Sequence, residues 1–194
     1  MEKIFNKDLY LNYTSKFSPD DFHHVAFRCR DAEQTRWFYE DILGLKLAAA
    51  MSFDNLSGTD KKVEYMHIFF EMLDGNYIAF FDDPYNAQDD FFKDMNGFDS
   101  HVAVEVDSME DLKEIESKLN KIEWGSFIID HDFVTSLYIF DPNGIQLEFT
   151  CRAEDHDQIM EEDAAKAHLE IKKWTDKTRE MKIQKFGKEA LSSK

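Results

Sequence analysis

The run HVAFRC that begins at His24 returns as HVAVEV at His101, and in both places an acidic residue, an amphipathic stretch and further strand-like runs follow. An internal duplication restricts the fold severely, because each copy is one supersecondary unit whose apolar face must find cover against another. In the first copy, Phe22 to Cys29 is a strand and Asp31 caps a helix, with Gln34 three residues on as in a capping box. Thr35, Phe38, Tyr39 and Ile42 fall at helical spacing, and Gly44 supplies the stop. A second strand starts at Lys46, a polar loop covers Asp54 to Lys62, and aromatic content marks a third strand over Tyr65 to Met72. Asp74 and Gly75 form a hairpin signal that leads into a fourth strand, Tyr77 to Phe81.

The second copy repeats this order. Ser108 and Asp111 form its capping pair, and Met109, Leu112, Ile115 and Leu119 mark one helix face. Strands follow near Ser126 to Asp130, Thr135 to Phe140 and Ile145 to Cys151, the last two joined by a tight turn at Asp141, Pro142, Asn143 and Gly144. The fold class expected is α+β, two tandem βαβββ modules, the first over 22–83 and the second over 98–152 of a domain spanning 22–152. Residues 1–21 are an N-terminal extension. Residues 153–194 form a C-terminal extension, a long helix free of Gly and Pro from Asp155 to about Phe186, with apolar positions at Ile159, Leu169, Trp174 and Met181 that suit packing against the domain or a second subunit, a lid over a pocket being the less favoured alternative.

Apolar residues at 43%, including 18 Phe, are enough for a packed core. A net charge of −17 argues against nucleic acid as a partner, since phosphate binding needs clustered Lys and Arg. The N-terminal residues lack the apolar stretch and cleavage site of a secretion signal, and no apolar run reaches membrane-spanning length, so a soluble cytoplasmic protein is expected. Cys29 and Cys151 lie in apolar strands and read as buried reduced thiols.

Superposing the copies exposes the chemistry. His24 matches His101, while Ile78, Ala79 and Phe80 match Leu147, Glu148 and Phe149. Glu148 is a carboxylate within an apolar strand, which is costly unless something cationic meets it. Two histidines and one carboxylate leave coordination positions open on one face of an octahedral ion, as in non-haem Fe(II) oxygenases. His23 points the opposite way from His24 on a strand, and the match to His101 selects His24. His156 and His168, in the charged C-terminal helix, are expected at the surface.

HHVAFRCRDAEQTRWFYEDILGL, HVAVEV and FDPNGIQLEF resemble the vicinal oxygen chelate superfamily, which includes glyoxalases, bleomycin-resistance and fosfomycin-modifying proteins and extradiol ring-cleaving dioxygenases. The resemblance spans roughly Phe22 to Arg152 and implies a curved mixed sheet around a metal site where the modules meet. Ile129, His131, Leu137, Tyr138, Asp141, Pro142, Gly144 and Glu148 spell a pattern similar to the extradiol dioxygenase signature. By position it implies that His24, His101 and Glu148 hold Fe(2+) or another divalent metal. His131 and Tyr138 would be catalytic, bonding to the oxygens of a small aromatic diol or of dioxygen. Extradiol enzymes carry a further histidine just before the strand bearing Ala79; Asn76 stands there, and His67 on the neighbouring strand is the candidate substitute. The leading expectation is an Fe(II)-dependent extradiol dioxygenase acting as a homodimer. The alternatives are a glyoxalase-like isomerase, lyase or transferase, or a small-ligand-binding protein without catalysis.

Overall fold

The protein is seen in a computed structural model that describes residues 22–93 and 95–191. The N-terminal extension expected over residues 1–21 lies outside the described residues. The duplication is realised as two four-stranded mixed sheets of one topology. The first contains β1 (His24–Cys29), β2 (Lys46–Asn55), β3 (Lys62–Glu71) and β4 (Tyr77–Asp82) in the order β1-β4-β3-β2. The second contains β5 (His101–Glu105), β6 (Phe127–Asp130), β7 (Val134–Phe140) and β8 (Gln146–Arg152) in the order β5-β8-β7-β6. In each sheet the first strand runs parallel to the last, and the other pairings are antiparallel.

The crossover that makes the parallel pair possible is helical in both modules. In the first, α1 (Ala32–Arg36) starts where Asp31, in extended backbone, accepts the Gln34 N–H at 2.6 Å. After Arg36 the coil widens into a π-helix over Trp37–Ile42, with Leu43 N–H bonded to Phe38 O at 3.0 Å. The sequence pattern leads one to expect a regular helix to Ile42, and the widening is the difference. It leaves Phe38 and Tyr39 side by side in the core, both essentially inaccessible. In the second module α2 (Met109–Lys121) is capped by Ser108, whose Oγ accepts from Asp111 N–H, and it buries Leu112 and Leu119.

One apolar cluster serves both modules, joining Cys29, Phe38, Phe70 and Phe80 to Leu112, Leu119, Leu137, Ile139 and Ile145. Side chains of this size contribute about 1.5–3 kcal/mol each when removed from water, so this cluster supplies most of what holds the halves together. Trp124 of the second module packs on Phe38 at 5.1 Å and Trp37 at 6.2 Å, and donates its indole N–H to Phe140 O.

A polar clasp reinforces the junction. The turn after β7 closes through Gly144, whose φ of +80° suits glycine, and Asp141 accepts the N–H groups of Asn143 and Ile145 at 2.8 Å. The same carboxylate accepts the Tyr39 hydroxyl at 3.1 Å. Asn143, wholly buried, accepts Arg30 N–H at 2.8 Å and donates to Thr35 Oγ1 at 3.3 Å. The turn that opens β8 is thereby fixed against the helix of the other module.

Residues 21–154 make one compact unit, and the long helix α3 (His156–Phe186) belongs to another. Leu169, Ile171, Trp174 and Met181 on α3 are exposed. No helix among the described residues is long and apolar enough to cross a membrane.

Candidate functional site

Each sheet turns one face to the shared core and leaves the other open, and strand alternation decides which side chains reach the open face. In the second module Ala103, Glu148, Tyr138 and Phe127 are neighbours across four strands, so all four share a face. His101 lies two residues before Ala103 and Ser136 two before Tyr138, which puts both on that face as well.

Glu148 is 8% exposed, yet both of its oxygens are engaged. One meets His101 Nε2 at 2.5 Å and the other accepts the Ser136 hydroxyl at 2.5 Å, with Thr150 Oγ1 3.1 Å beyond Ser136. Burial by itself would raise the Glu148 pKa; hydrogen bonds from Ser136, His101 and Tyr138 outweigh it and hold the carboxyl below its ordinary value. The group is therefore an anion at neutral pH, as a metal ligand must be. Ser136 was not among the residues that sequence reasoning picked. Alternation along β7 from Tyr138 was the available signal.

Tyr138, also buried, bonds through its hydroxyl to His131 Nε2 at 2.8 Å, and its ring stacks on Phe127 at 5.2 Å. Burial, then the hydrogen bond and charge of Glu148, raise the phenol's pKa and keep it protonated. His131 is held in place by its backbone, whose N–H donates to Val134 O at 2.8 Å beside Asp132 in the left-handed region (φ +67°). Four of the candidate residues and neighbours, His101, Glu148, Tyr138 and His131, thus form one connected group on a single sheet face.

His24 lies elsewhere. It is exposed at the start of β1, with Nδ1 2.9 Å from His23 Nδ1 and its ring 5.5 Å from Phe69 and 6.4 Å from His67. Register settles which way His67 faces: it pairs with Phe81, which pairs with Arg28, so it shares the open face with His24. His67 stacks on Phe81 at 3.8 Å, and its Nε2 is the one buried side-chain nitrogen or oxygen among the described residues without a hydrogen-bond partner. Burial first, and His24 second, lower its pKa. Asn76 is taken up by the hairpin, bonding to both oxygens of Asp74. Ala79, fully buried, stands at the place of Glu148.

Among the described residues no group of three or more His, Cys, Asp or Glu side chains converges so as to hold a metal ion. His101 and Glu148 fit as two neighbouring ligands, and within one chain His24 does not join them. A separate open cleft of about 970 Å³ lies on the first module, lined by Asp31, Arg36, Asp54, Glu64, Asp82 and Tyr85 among others, and none of the candidate residues lines it.

A family model described as the Glyoxalase/Bleomycin resistance protein/Dioxygenase superfamily matches residues 21–149. Among solved structures, the chain is similar to a glyoxylase/bleomycin resistance protein/dioxygenase domain from Frankia sp. EAN1pec, with 23% identity, a TM-score of 0.59, and coverage of 73% of this chain and 99% of that one. A glyoxalase/dioxygenase from Nostoc punctiforme matches with 20% identity and a TM-score of 0.53 over 71% of this chain and 97% of that one. A fosfomycin resistance protein from Listeria monocytogenes, complexed with Mn(II) and 1S,2S-dihydroxypropylphosphonic acid, matches with 14% identity and a TM-score of 0.51 over 72% and 98%. At these identities the structures establish a common fold. No curated protein matches the chain in sequence.

Proposed function

Because the chain belongs to the glyoxalase/bleomycin resistance protein/dioxygenase superfamily, we propose that its open β-sheet face carries a divalent-metal-dependent reaction on a small molecule with adjacent oxygens, and that the reaction is extradiol cleavage of a catechol-like ring. The observation that carries this reading is the adjacency of two pairs on one face, His101 with Glu148 and His131 with Tyr138. The first pair supplies two ligands of the types that non-haem Fe(II) prefers; the second supplies a proton-transfer couple. Fe(II), when bound, supplies the one-electron chemistry by which an aromatic diol reacts with dioxygen.

The chain's own part is proton handling and positioning. Tyr138 is neutral, so its oxygen has one proton to give and can accept one. When His131 Nε2 carries a proton it donates to Tyr138 Oη, and the phenol then donates onward, to Glu148 or to a substrate oxygen in its place; in the other tautomer the phenol donates to Nε2 and the direction reverses. A proton taken from a diol hydroxyl can in this way be stored on the couple and returned to the opened product. Phe127, stacked on Tyr138 and 47% exposed, offers an aromatic ring a flat apolar wall beside these groups.

The test is oxygen uptake by protein loaded anaerobically with Fe(II) and presented with a panel of catechols. Uptake with a coloured ring-fission product is the expected result; none across the panel refutes the ring-cleavage proposal. A second reading has one observation in its favour. Asn76 occupies the place of the oxygen-handling histidine of extradiol enzymes and is held by Asp74. An isomerase, lyase or transferase using the metal as a Lewis acid needs no such histidine, and would work anaerobically with Mn(II) or Ni(II).

A further inference from the structure

We infer that α3 is a docking helix for the α3 of a second copy of this chain, the two lying antiparallel along one stripe in a fixed register. The helix lies beyond residues 21–149, the part that matches the superfamily, so its role belongs to this chain and not to the shared fold. From Met160 through Ala164, Ala167, Ile171, Trp174 and Thr178 to Met181, the steps alternate between four and three residues, the spacing of a coiled-coil seam. Met160, Ile171, Trp174 and Met181 are exposed at 44%, 65%, 57% and 62%. Thr178 is the buried member of the stripe, and its hydroxyl is satisfied by Trp174 O of its own helix at 2.8 Å, so it needs no polar partner across an apolar seam. Leu169 and Phe186, also exposed, fall off this line.

Charge decides what lies on the stripe and in which direction. The helix begins acidic, with Asp157, Glu161 and Asp163, and ends basic, with Lys177, Lys182 and Lys185. The macrodipole favours that polarity in a single helix, but it does not dictate which of these residues border the seam. Let a two-fold axis pass between Ile171 and Trp174, so that each Ile171 faces Trp174 of the second copy. Glu161 then meets Lys182 of the second copy on one rim and Glu170 meets Lys177 of the second copy on the other, and the axis doubles each pair. A parallel pair instead brings Lys177 against Lys182 of the second copy on both rims and sets Trp174 on Trp174. Sliding the antiparallel pair by one heptad either way sets Glu170 against Glu170 or Lys177 against Lys177. One orientation and one register therefore remain free of like-charge contacts. Within one chain these groups have only exposed local partners: Glu170 holds Lys173 at 2.6 Å, and Lys177 and Lys182 lie over the Trp174 ring at 5.5 and 5.9 Å. Both lysines thus already stand at the margins of the seam.

Charge reversal in the full chain tests this, with the dimer dissociation constant read by sedimentation equilibrium at low ionic strength. Glu170→Lys and Lys177→Glu are each expected to weaken association at least about tenfold, because either one turns both members of a symmetric pair from attractive to repulsive. The chain carrying both reversals is expected to return to within about threefold of the native constant. An equal mixture of the two single variants is expected to form heterodimers in preference to either homodimer. Residues 170 and 177 stand two turns apart on one helix and do not touch, so recovery reads a contact between copies. Ile171→Glu, a change at an exposed position, is expected to abolish association while leaving thermal unfolding of the domain over residues 21–154 unchanged. A native chain that stays monomeric at about 100 μM overturns the docking helix, as does a dimer that Ile171→Glu leaves intact. Association lost in both single reversals and not recovered in the double one overturns the antiparallel register.

Discussion

Replacing Ser136 with alanine isolates one contact whose worth can be worked out. The Ser136 hydroxyl is completely buried and donates to a Glu148 oxygen, and it leads the interactions that lower that carboxyl's pKa. A hydrogen bond to a charged group is worth about 1.5–3 kcal/mol, so loss of this one should destabilise the fold by about 2 kcal/mol at neutral pH. In a chain of this size that lowers Tm by roughly 4–8 °C. The sign of the pH dependence is fixed by the direction of the shift. Glu148 titrates lower in the folded protein than in the unfolded chain, so its stabilising contribution is complete above the unfolded value, about 4.3, and is lost as pH falls through the folded value. The native protein and Ser136→Ala should therefore differ by about 2 kcal/mol at pH 7 and draw together on acidification below about pH 4.5. Denaturation followed by Trp fluorescence at sub-micromolar concentration suits the measurement, because the sequence pI of about 4.7 invites precipitation in that window. A difference that stays constant as pH falls from 7 until the carboxyls of the folded protein are protonated would mean that Ser136 acts by packing alone, and the charge-assisted account would fail.

Other expectations follow from the same geometry. Tyr138→Phe removes the phenolic proton and should lower turnover by about 10²-fold or more while leaving Mn(II) content unchanged; turnover near the native rate would remove Tyr138 from the proton couple. Asn143→Ala takes away the acceptor for Arg30 N–H and the donor to Thr35, and should cost about 2 kcal/mol in a calorimetric unfolding experiment, with an unaltered transition arguing that the clasp is decorative. Burial pushes the Cys29 thiol up to about 12. Cys29 should accordingly resist iodoacetamide at pH 8 until denaturant is added, as peptide mass mapping would reveal.

The strands, the crossovers and the duplication were legible because each rests on local chemistry: alternation, caps at Asp31 and Ser108, and turn residues at Asp74 to Gly75 and Asp141 to Gly144. The π-helix at Trp37–Ile42 was not. A hydrogen bond that reaches back five residues rather than four shifts Phe38 and Tyr39 only slightly from a pattern that a regular helix also satisfies. Within one module, the site could be read from spacing, since a strand period of two places Tyr138 and Glu148 on one face once the hairpin turn is known. Between modules it could not. Matching His24 to His101 shows that they are equivalent positions and carries no information on how one copy is placed against the other. That placement is decided by the pooled aromatic core and by the Asn143 clasp, contacts between residues far apart in sequence.

The alanine at position 79 also bears on why the two halves differ in what they can hold. In the second module an ionised acid is tolerated because hydroxyls at Ser136 and Thr150 line the strand beside it; at the corresponding rungs of the first stand His67 and Phe81, a stacked pair with no proton to offer a carboxylate from the ring face. Placing a glutamate at Ala79 alone would strand a charge against aromatic rings. A second acid-bearing face in the first module therefore takes several substitutions at once, and packing alone keeps the two halves in different roles.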